Sequence, residues 1–348
     1  MKKRHLVVVL IMMIAASGLL TGCGSDKPVL NVYNWGEYMD PEVIQMFEDE
    51  FQVKVNYKTY PTNEDMYAKL KSGSAEFDVV FPSDYMLERM IKEDMVAKID
   101  MANIPNYSNI NDRFKNLPYD PNNEYSVPYF WGTLGILYNT TMVDEQVDSW
   151  ASLWDEKYAK QILILDSSRD SIGMALKYLG YSLNTTSDAE LAEAKALLLE
   201  QKPLVLAYVV DETRNMMVQG EAAMALTWSG EAIDLAAENE DLAYALPKEG
   251  SNLWFDVAAI PKNSPNQELA EAFINFLNRP DIAYLNASYV GYSTPNTAAY
   301  DQLDDEIKSA DSYYPSDDVL DRCEVFYDLG DYNDVYHELW LDIMIDNK

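Results

Sequence analysis

Tryptophan, tyrosine and carboxylate side chains recur together in this 348-residue chain, each time where a run of strand-forming residues gives out. Trp35, Glu37 and Tyr38 follow "LNVYN". Ser83, Asp84 and Tyr85 follow "FDVVF", and Asp166, Ser167 and Asp170 follow "QILIL". Trp228 and Glu231 follow "AAMALT", Trp254 and Asp256 lie within "NLWFDVAAIP", and Tyr292 lies within "YVGYSTPN". Turns favour Gly, Pro, Asn, Asp and Ser for their backbone angles, so a Trp-Gly-Glu-Tyr turn points to side chains kept for another purpose. An ammonium over an aromatic face gains ~0.5–2 kcal/mol, and a charge-assisted hydrogen bond to a carboxylate adds about 1.5–3 kcal/mol. A box of rings with carboxylates at its ends therefore suits an extended ligand with separated ammonium groups, a polyamine. The carboxylates would set affinity, because an ammonium buried without a counter-ion costs several kcal/mol, and the rings would set fit.

Taken singly, these residues have ordinary structural uses. A Trp at a strand end belongs to a core, a loop Asp caps a helix, and Glu231 falls where a helix-start residue would. Rival chemistries also use them: two acids flanking a glycosidic bond, Trp platforms under a pyranose, or the Tyr313-Tyr314 pair holding iron. Acids in every loop favour a cation. The histidines are few, His5 and His337, which leaves little material for a Ser-His-Asp triad or a His-based metal site. No metal and no cofactor are expected. His337 falls on the polar side of a C-terminal helix whose buried stripe is expected to read Val335, Tyr336, Leu339, Trp340, Ile343 and Met344.

The elements that must position these residues alternate: an apolar strand, a loop, then an amphipathic helix. Asp40-Pro41 signals a helix start with Val43, Ile44, Phe47 and Phe51 inward. "QVKVNYKTY" reads as a second strand, and helices are expected from Met86 and over "SIGMALKYLG", "SGEAIDLAAE" and "NQELAEAFINFLNRP". This order predicts an α/β fold with largely parallel sheets, in which loops beyond the carboxyl ends of the strands converge on one crevice. "YVGYSTPN" is grouped with the strands, and "DDEIKSADSYYPSDDV" is expected to be a solvated loop and turn.

The first residues read as a processing signal. Lys2, Lys3 and Arg4 precede the apolar run Leu6 to Ile14, and Leu20-Thr21-Gly22-Cys23 is a small-residue cleavage site followed by cysteine. The run is short for a membrane span. The site resembles the lipobox of bacterial lipoproteins, which implies residues 1–22 as signal peptide, acylation at Cys23 and a tether over 23–28 that holds the protein to the cell membrane. Cys323 would then be the one other cysteine of the mature chain, so no internal disulfide is expected. The chain carries 58 acidic against 26 basic residues, a formal charge of −32. That balance excludes nucleic acid as a natural partner and raises the encounter rate of small cations.

The segments "YNWGEYMDP", "MYAKLKSG", "DVVFPSDYM", "YSVPYFWGTLGILYN", "WASLWDEKY", "LGYSLNTT", "NLWFDVAAIPK", "AFINFLNRPDIA" and "GYSTPN" resemble the spermidine/putrescine-binding proteins of bacterial ABC importers, from about Leu30 to the C-terminus. The resemblance implies a two-lobed periplasmic-binding-protein fold with hinge strands and a ligand cleft. One lobe would comprise residues 29–131 and 257–298, the other 132–256 and 299–348. It implies an extracytoplasmic binding subunit without catalytic activity, which captures spermidine or putrescine and delivers it to membrane permease subunits. Its aromatic box would fall on Trp35, Tyr38, Tyr85, Trp228, Trp254 and Tyr292, its carboxylates on Glu37, Asp170 and Asp256, with Ser83 adding a hydroxyl. This sequence departs from the pattern at Gly36 (some members have Thr), Ser167 (Asp) and Phe326 (Gln), which implies fewer polar contacts for one end of the ligand. Asp84 or Asp166 could compensate.

Overall fold

The computed structural model describes residues 27–346, so the signal segment and Cys23 lie outside the described residues. Nine strands form the frame: β1 (Val29–Trp35), β2 (Lys54–Tyr60), β3 (Val79–Val80), β4 (Ser126–Asn139), β5 (Ile162–Leu165), β6 (Val205–Val209), β7 (Met224–Trp228), β8 (Leu242–Ala245) and β9 (Leu253–Ala259). Their order is β2-β1-β3-β9-β4-β7-β5-β6, with β8 also on β4. The largely parallel expectation holds only at the two ends, where β1 pairs with β2 and β3, and β5 with β6 and β7. The middle is antiparallel, β9 running against β3 and β4, and β4 against β7 and β8.

The reason lies in β4. "SVPYFWGTLGILYN" is apolar and buried over nearly all of its 14 residues, so it serves two cores in succession. Val127, Phe130 and Trp131 join a cluster built on β1, β3, β9 and the helices Pro41–Phe51, Asp84–Lys92 and Gln267–Leu277. Leu134 and Ile136 join a second cluster with β5, the helix Ser168–Leu179 and Trp340. A smaller third cluster, with Leu137, Met217 and Leu235, lies under the helices Glu212–Val218 and Ser229–Glu238. Trp228, at the end of β7, packs against both of the larger clusters.

Several local expectations are realised. Asp40 caps the helix Pro41–Phe51 by accepting the Glu42 N–H, with Pro41 in the first turn. Phe51, however, is exposed, stacked on Phe47 at 4.4 Å from the last turn, where the helix has turned away from the core. Val335 is exposed as well; the buried stripe of the helix Tyr332–Ile345 is Tyr336, Trp340 and Ile343, a narrower face than six apolar residues suggest. "YVGYSTPN" forms no strand. Its start closes the helix Pro280–Val290, Gly291 provides the left-handed cap at φ 79°, and Ser293 then bridges Trp131. The acidic stretch is more ordered than a solvated loop: it contains the short helices Asp305–Ser309 and Asp317–Leu320, and Tyr314 packs on Trp131 and Tyr300. Among the described residues no helix is long and apolar enough to cross a membrane.

Candidate functional site

Asp256 lies in β9, where the two-residue strand period puts it on the same face as Trp254 and sends Phe255 the other way, towards Phe114 and Tyr119. Its carboxylate is buried and accepts two hydroxyls, from Tyr38 at 2.7 Å and from Ser83 at 2.6 Å. Tyr38 comes from the turn after β1. Its ring meets that of Tyr292 edge-on at 5.3 Å, and Tyr292 meets Trp254 in the same way at 5.3 Å. Gly230 makes this possible, since a Cβ there would fall 2.1 Å from the Tyr292 ring; Gly132 likewise leaves room for Trp254.

Two helix-start serines give up capping for the site. Ser83 has the extended backbone of an N-cap residue ahead of the helix Asp84–Lys92, yet its hydroxyl makes no cap bond and goes to Asp256. Ser167 stands in the same place before the helix Ser168–Leu179 and donates instead to Asp170 at 2.7 Å. A missing cap costs about 1 kcal/mol, and such departures from local preference concentrate at functional sites. Asp170 is buried in the first turn of its helix, where the helix dipole favours a negative charge.

Burial pushes both carboxyls up, Asp170 to about 6 and Asp256 to about 6. Hydroxyls oppose the shift in each, and the two acids raise one another or are raised by neighbouring acids: Asp170 acts on Asp256, and Glu64 on Asp170. Acids with raised pKa values, buried among aromatic rings, form a site whose full charge is stabilised by an incoming cation.

Tyr85 is buried, with its hydroxyl donating to Glu64 at 3.0 Å and accepting from Asn63 at 3.2 Å. Asn63 also donates to Ser83 at 3.0 Å, so one amide ties Tyr85 to the serine that holds Asp256. Trp35 donates its indole N–H to Phe81 O at 2.9 Å and packs on Tyr60. The Trp228 indole lies close enough to Asp170 to help lower its pKa. Glu37 stands exposed on the turn at φ 48° and is the one carried-over residue outside this network of hydroxyls, rings and buried acids.

Other acids turn out differently. Asp84, read as a helix cap or a spare ligand acid, is fully buried and holds the backbone N–H groups of Tyr85 at 2.7 Å and Phe255 at 3.1 Å, a structural tie between the helix and β9. Asp166 accepts the Trp340 indole at 2.8 Å, which directs it to the C-terminal helix. Glu231 accepts the Thr227 hydroxyl at 2.5 Å and is pushed by burial to about 7. Tyr313 and Tyr314 stack 6.4 Å apart and serve packing, the Tyr314 hydroxyl taking the Thr294 N–H. At the three departures, Gly36 has no atom within 4 Å of a would-be Cβ, Ser167 orients Asp170, and Phe326 is buried against Tyr85.

Residue-type reasoning missed Asn63, Glu64 and Arg169. Asn63 and Glu64 open the helix Asn63–Lys71 just beyond the strand that ends in Tyr60, and Arg169 lies in the first turn of the helix Ser168–Leu179 beside Asp170.

Residues 42–313 match the model of the bacterial extracellular solute-binding protein family. The spermidine/putrescine-binding periplasmic protein of Salmonella typhimurium is 39% identical over 327 residues, spanning 93% of this chain and 94% of its own length. A solved structure from Listeria monocytogenes, assigned to a spermidine/putrescine ABC transporter, superposes with a TM-score of 0.89 at 44% identity over 91% of this chain and 99% of that one. The spermidine/putrescine ABC transporter substrate-binding protein of Streptococcus pneumoniae gives a TM-score of 0.81 at 41% identity, over 91% and 99% of the two chains. The fold is thus the two-lobed α/β fold of periplasmic binding proteins, and the chain belongs to the bacterial extracellular solute-binding protein family.

Proposed function

We propose that this chain is the extracytoplasmic polyamine-binding subunit of an ABC importer, taking up spermidine or putrescine and handing it to permease subunits. The observation that carries this reading is the buried Asp256 carboxylate, gripped by Ser83 and Tyr38 beside the rings of Tyr38, Tyr292 and Trp254. A carboxylate held this way inside aromatic faces has the chemistry of an ammonium receptor, and relatives named for spermidine and putrescine support the same ligand class. Binding residues in this reading are Trp35, Glu37, Tyr38, Ser83, Tyr85, Asp170, Trp228, Trp254, Asp256 and Tyr292.

The two large cores supply the moving parts. One lobe is residues 29–131 and 257–298, the other 132–256 and 299–348, with β4 and β9 as the hinge between them. Closure removes the cleft from water, which strengthens each charge pair, and presents both lobes to the permease. The protein performs no catalysis of its own, and a lipid on Cys23 keeps it at the membrane.

Calorimetric titration with spermidine, putrescine, cadaverine and maltose tests the reading. Saturable binding of at least one of the amines, with no response to maltose, is expected. Binding of the sugar with none of the amines would overturn it.

A further inference from the structure

Arg169 is a buried guanidinium with no acid bonded to it among the described residues. Its N–H groups reach neutral acceptors only, Tyr327 O at 3.2 Å, Asn333 Oδ1 at 3.3 Å and Asn184 Oδ1 at 3.0 Å, and its Nε is buried without a partner. Aromatic faces surround it instead: Phe326 at 4.4 Å, Tyr336 at 5.1 Å and Tyr85 at 5.3 Å from the guanidinium carbon. Tyr85 belongs to the core built on β1, whereas Arg169 rides on the helix Ser168–Leu179 of the other core. On the proposed division into lobes, the contact therefore crosses from one lobe to the other.

A second tie runs alongside it. Asn333, which accepts from Arg169, donates to Asp328 at 2.7 Å; Asp328 pairs with Lys92 at 2.9 Å, and its backbone N–H reaches Glu88 at 2.9 Å. Lys92 and Glu88 lie on the same helix as Tyr85, so this helix meets the Arg169 side of the molecule at both a ring and an ion pair.

Arg169 is also the cation beside Asp170. The charges facing Asp170 are Arg169, which favours its ionised form, and Glu64 and Asp256, which oppose it; the Ser167 hydroxyl and the Trp228 indole add neutral support. Around Arg169 itself stand Tyr85, Tyr336, Asp84 and Asp170.

Resting on the polyamine reading of this cleft, we infer that Arg169 is a positioning residue: it keeps Asp170 charged for the ligand and, by stacking on Tyr85, holds the two lobes together once the ligand is enclosed. A planar guanidinium can do both, stacking on one ring while donating in its own plane, which an ammonium cannot reproduce.

The test compares Arg169→Met and Arg169→Lys with the wild type in stopped-flow and calorimetric titrations with putrescine and spermidine from pH 5 to 8. Arg169→Met should bind both amines about 10- to 100-fold more weakly, and the pH below which binding fades should move up by about one unit. Arg169→Lys should keep the wild-type pH midpoint yet release ligand about tenfold faster, because charge is retained and stacking is lost. A residue with only a structural role would lower stability and leave the pH midpoint of both variants where it was, and that result would overturn the inference. If Arg169→Met does not fold, Arg169→Lys decides alone: wild-type release kinetics, or a shifted midpoint, overturns it. Absence of amine binding by the wild type would instead overturn the polyamine reading itself.

Discussion

Tyr38 and Asp256 lie 218 residues apart in the chain, and the phenol of Tyr38 donates to the carboxylate of Asp256 at 2.7 Å. The bond closes β9 onto the turn that follows β1, and it leaves the carboxylate held from two sides before any ligand arrives, since Ser83 occupies its other oxygen. A carboxylate fixed by hydroxyls need not reorganise to receive an ammonium, so little of the binding energy is lost to ordering.

Replacing Asp256 with Asn keeps the shape and removes the charge. Polyamine binding should weaken by about 2–5 kcal/mol, roughly thirty-fold to several-thousand-fold, as for other buried hydrogen-bonded charge pairs. Asp166→Asn is the matched control, because its side chain serves Trp340. Calorimetry should find that variant within about threefold of the wild type. Equal, small losses for both would place the ligand elsewhere.

Asp84 is unsuitable as a control. Its carboxylate holds two backbone N–H groups in a fully buried place, and Asp84→Ala would strand both. The expected cost is about 2–4 kcal/mol of folding stability, read as a lower urea midpoint with an unchanged slope. Ligand affinity measured on the fraction that folds should fall less than for Asp256→Asn.

Much of the fold was legible from the sequence because it rests on local signals. The strand-loop-helix alternation and the Asp40-Pro41 start both appear as periodicity or capping chemistry. The candidate site stood out for a different reason: Trp, Tyr and Asp are conspicuous at strand ends. What could not be read was pairing between distant segments. The antiparallel middle of the sheet depends on β9 returning to β4, and the role of Asp84 depends on an N–H of Phe255 that periodicity does not point to. Arg169 was hidden by its type, since an arginine at a helix start suggests solvent, and only packing shows the three rings around it.

Cys23 lies outside the described residues, and its prediction rests on Leu20 to Cys23 alone. Cys23→Ala should abolish acylation and release the protein from the membrane fraction. Mass spectrometry of the N-terminal peptide, with fractionation at high salt, reads both effects. An unacylated wild-type peptide would refute the anchor.

The raised carboxyls give the free protein a definite pH response. Asp170 and Asp256 titrate at about 6 when folded against about 4 when unfolded, and Glu231 at about 7. For acids raised on folding, the stabilising contribution is complete below the unfolded value and is lost as pH climbs through the folded one. Each of the two aspartates should thus cost on the order of 2–3 kcal/mol at pH 7.5 relative to pH 4. Urea unfolding of the ligand-free protein should show stability declining from pH 5 to 7.5, and a saturating polyamine should remove the decline. Binding itself should weaken as pH falls through about 6, with protons released on binding in that range. The Asp170→Asn, Asp256→Asn double variant should flatten the stability profile; an unchanged slope would mean that these two acids ionise normally.

Gly230 offers a probe of the rings that leaves every carboxylate in place. It sits in the first turn of the helix Ser229–Glu238, and a Cβ added there would fall 2.1 to 2.4 Å from three atoms of the Tyr292 ring. Those atoms lie near the root of the ring, so no rotation of a flexible tip relieves the clash. Gly230→Ala must therefore push Tyr292 away from Tyr38 and Trp254, which it now meets at 5.3 Å each. Alanine also favours the helix, by up to about 1 kcal/mol over glycine, so local propensity and ring packing pull in opposite directions. Overpacking typically costs about 1–3 kcal/mol, and if the ring lines the ligand cleft as proposed, the cost should appear in ligand binding more than in stability. The expected result is a five- to hundred-fold weaker polyamine affinity with a urea midpoint close to that of the wild type. Gly180→Ala, where a Cβ meets nothing within 4 Å but φ is 82°, should show the reverse, reduced stability with unchanged affinity. If Gly230→Ala binds polyamine as tightly as the wild type, the Tyr292 ring is no part of the ligand's wall.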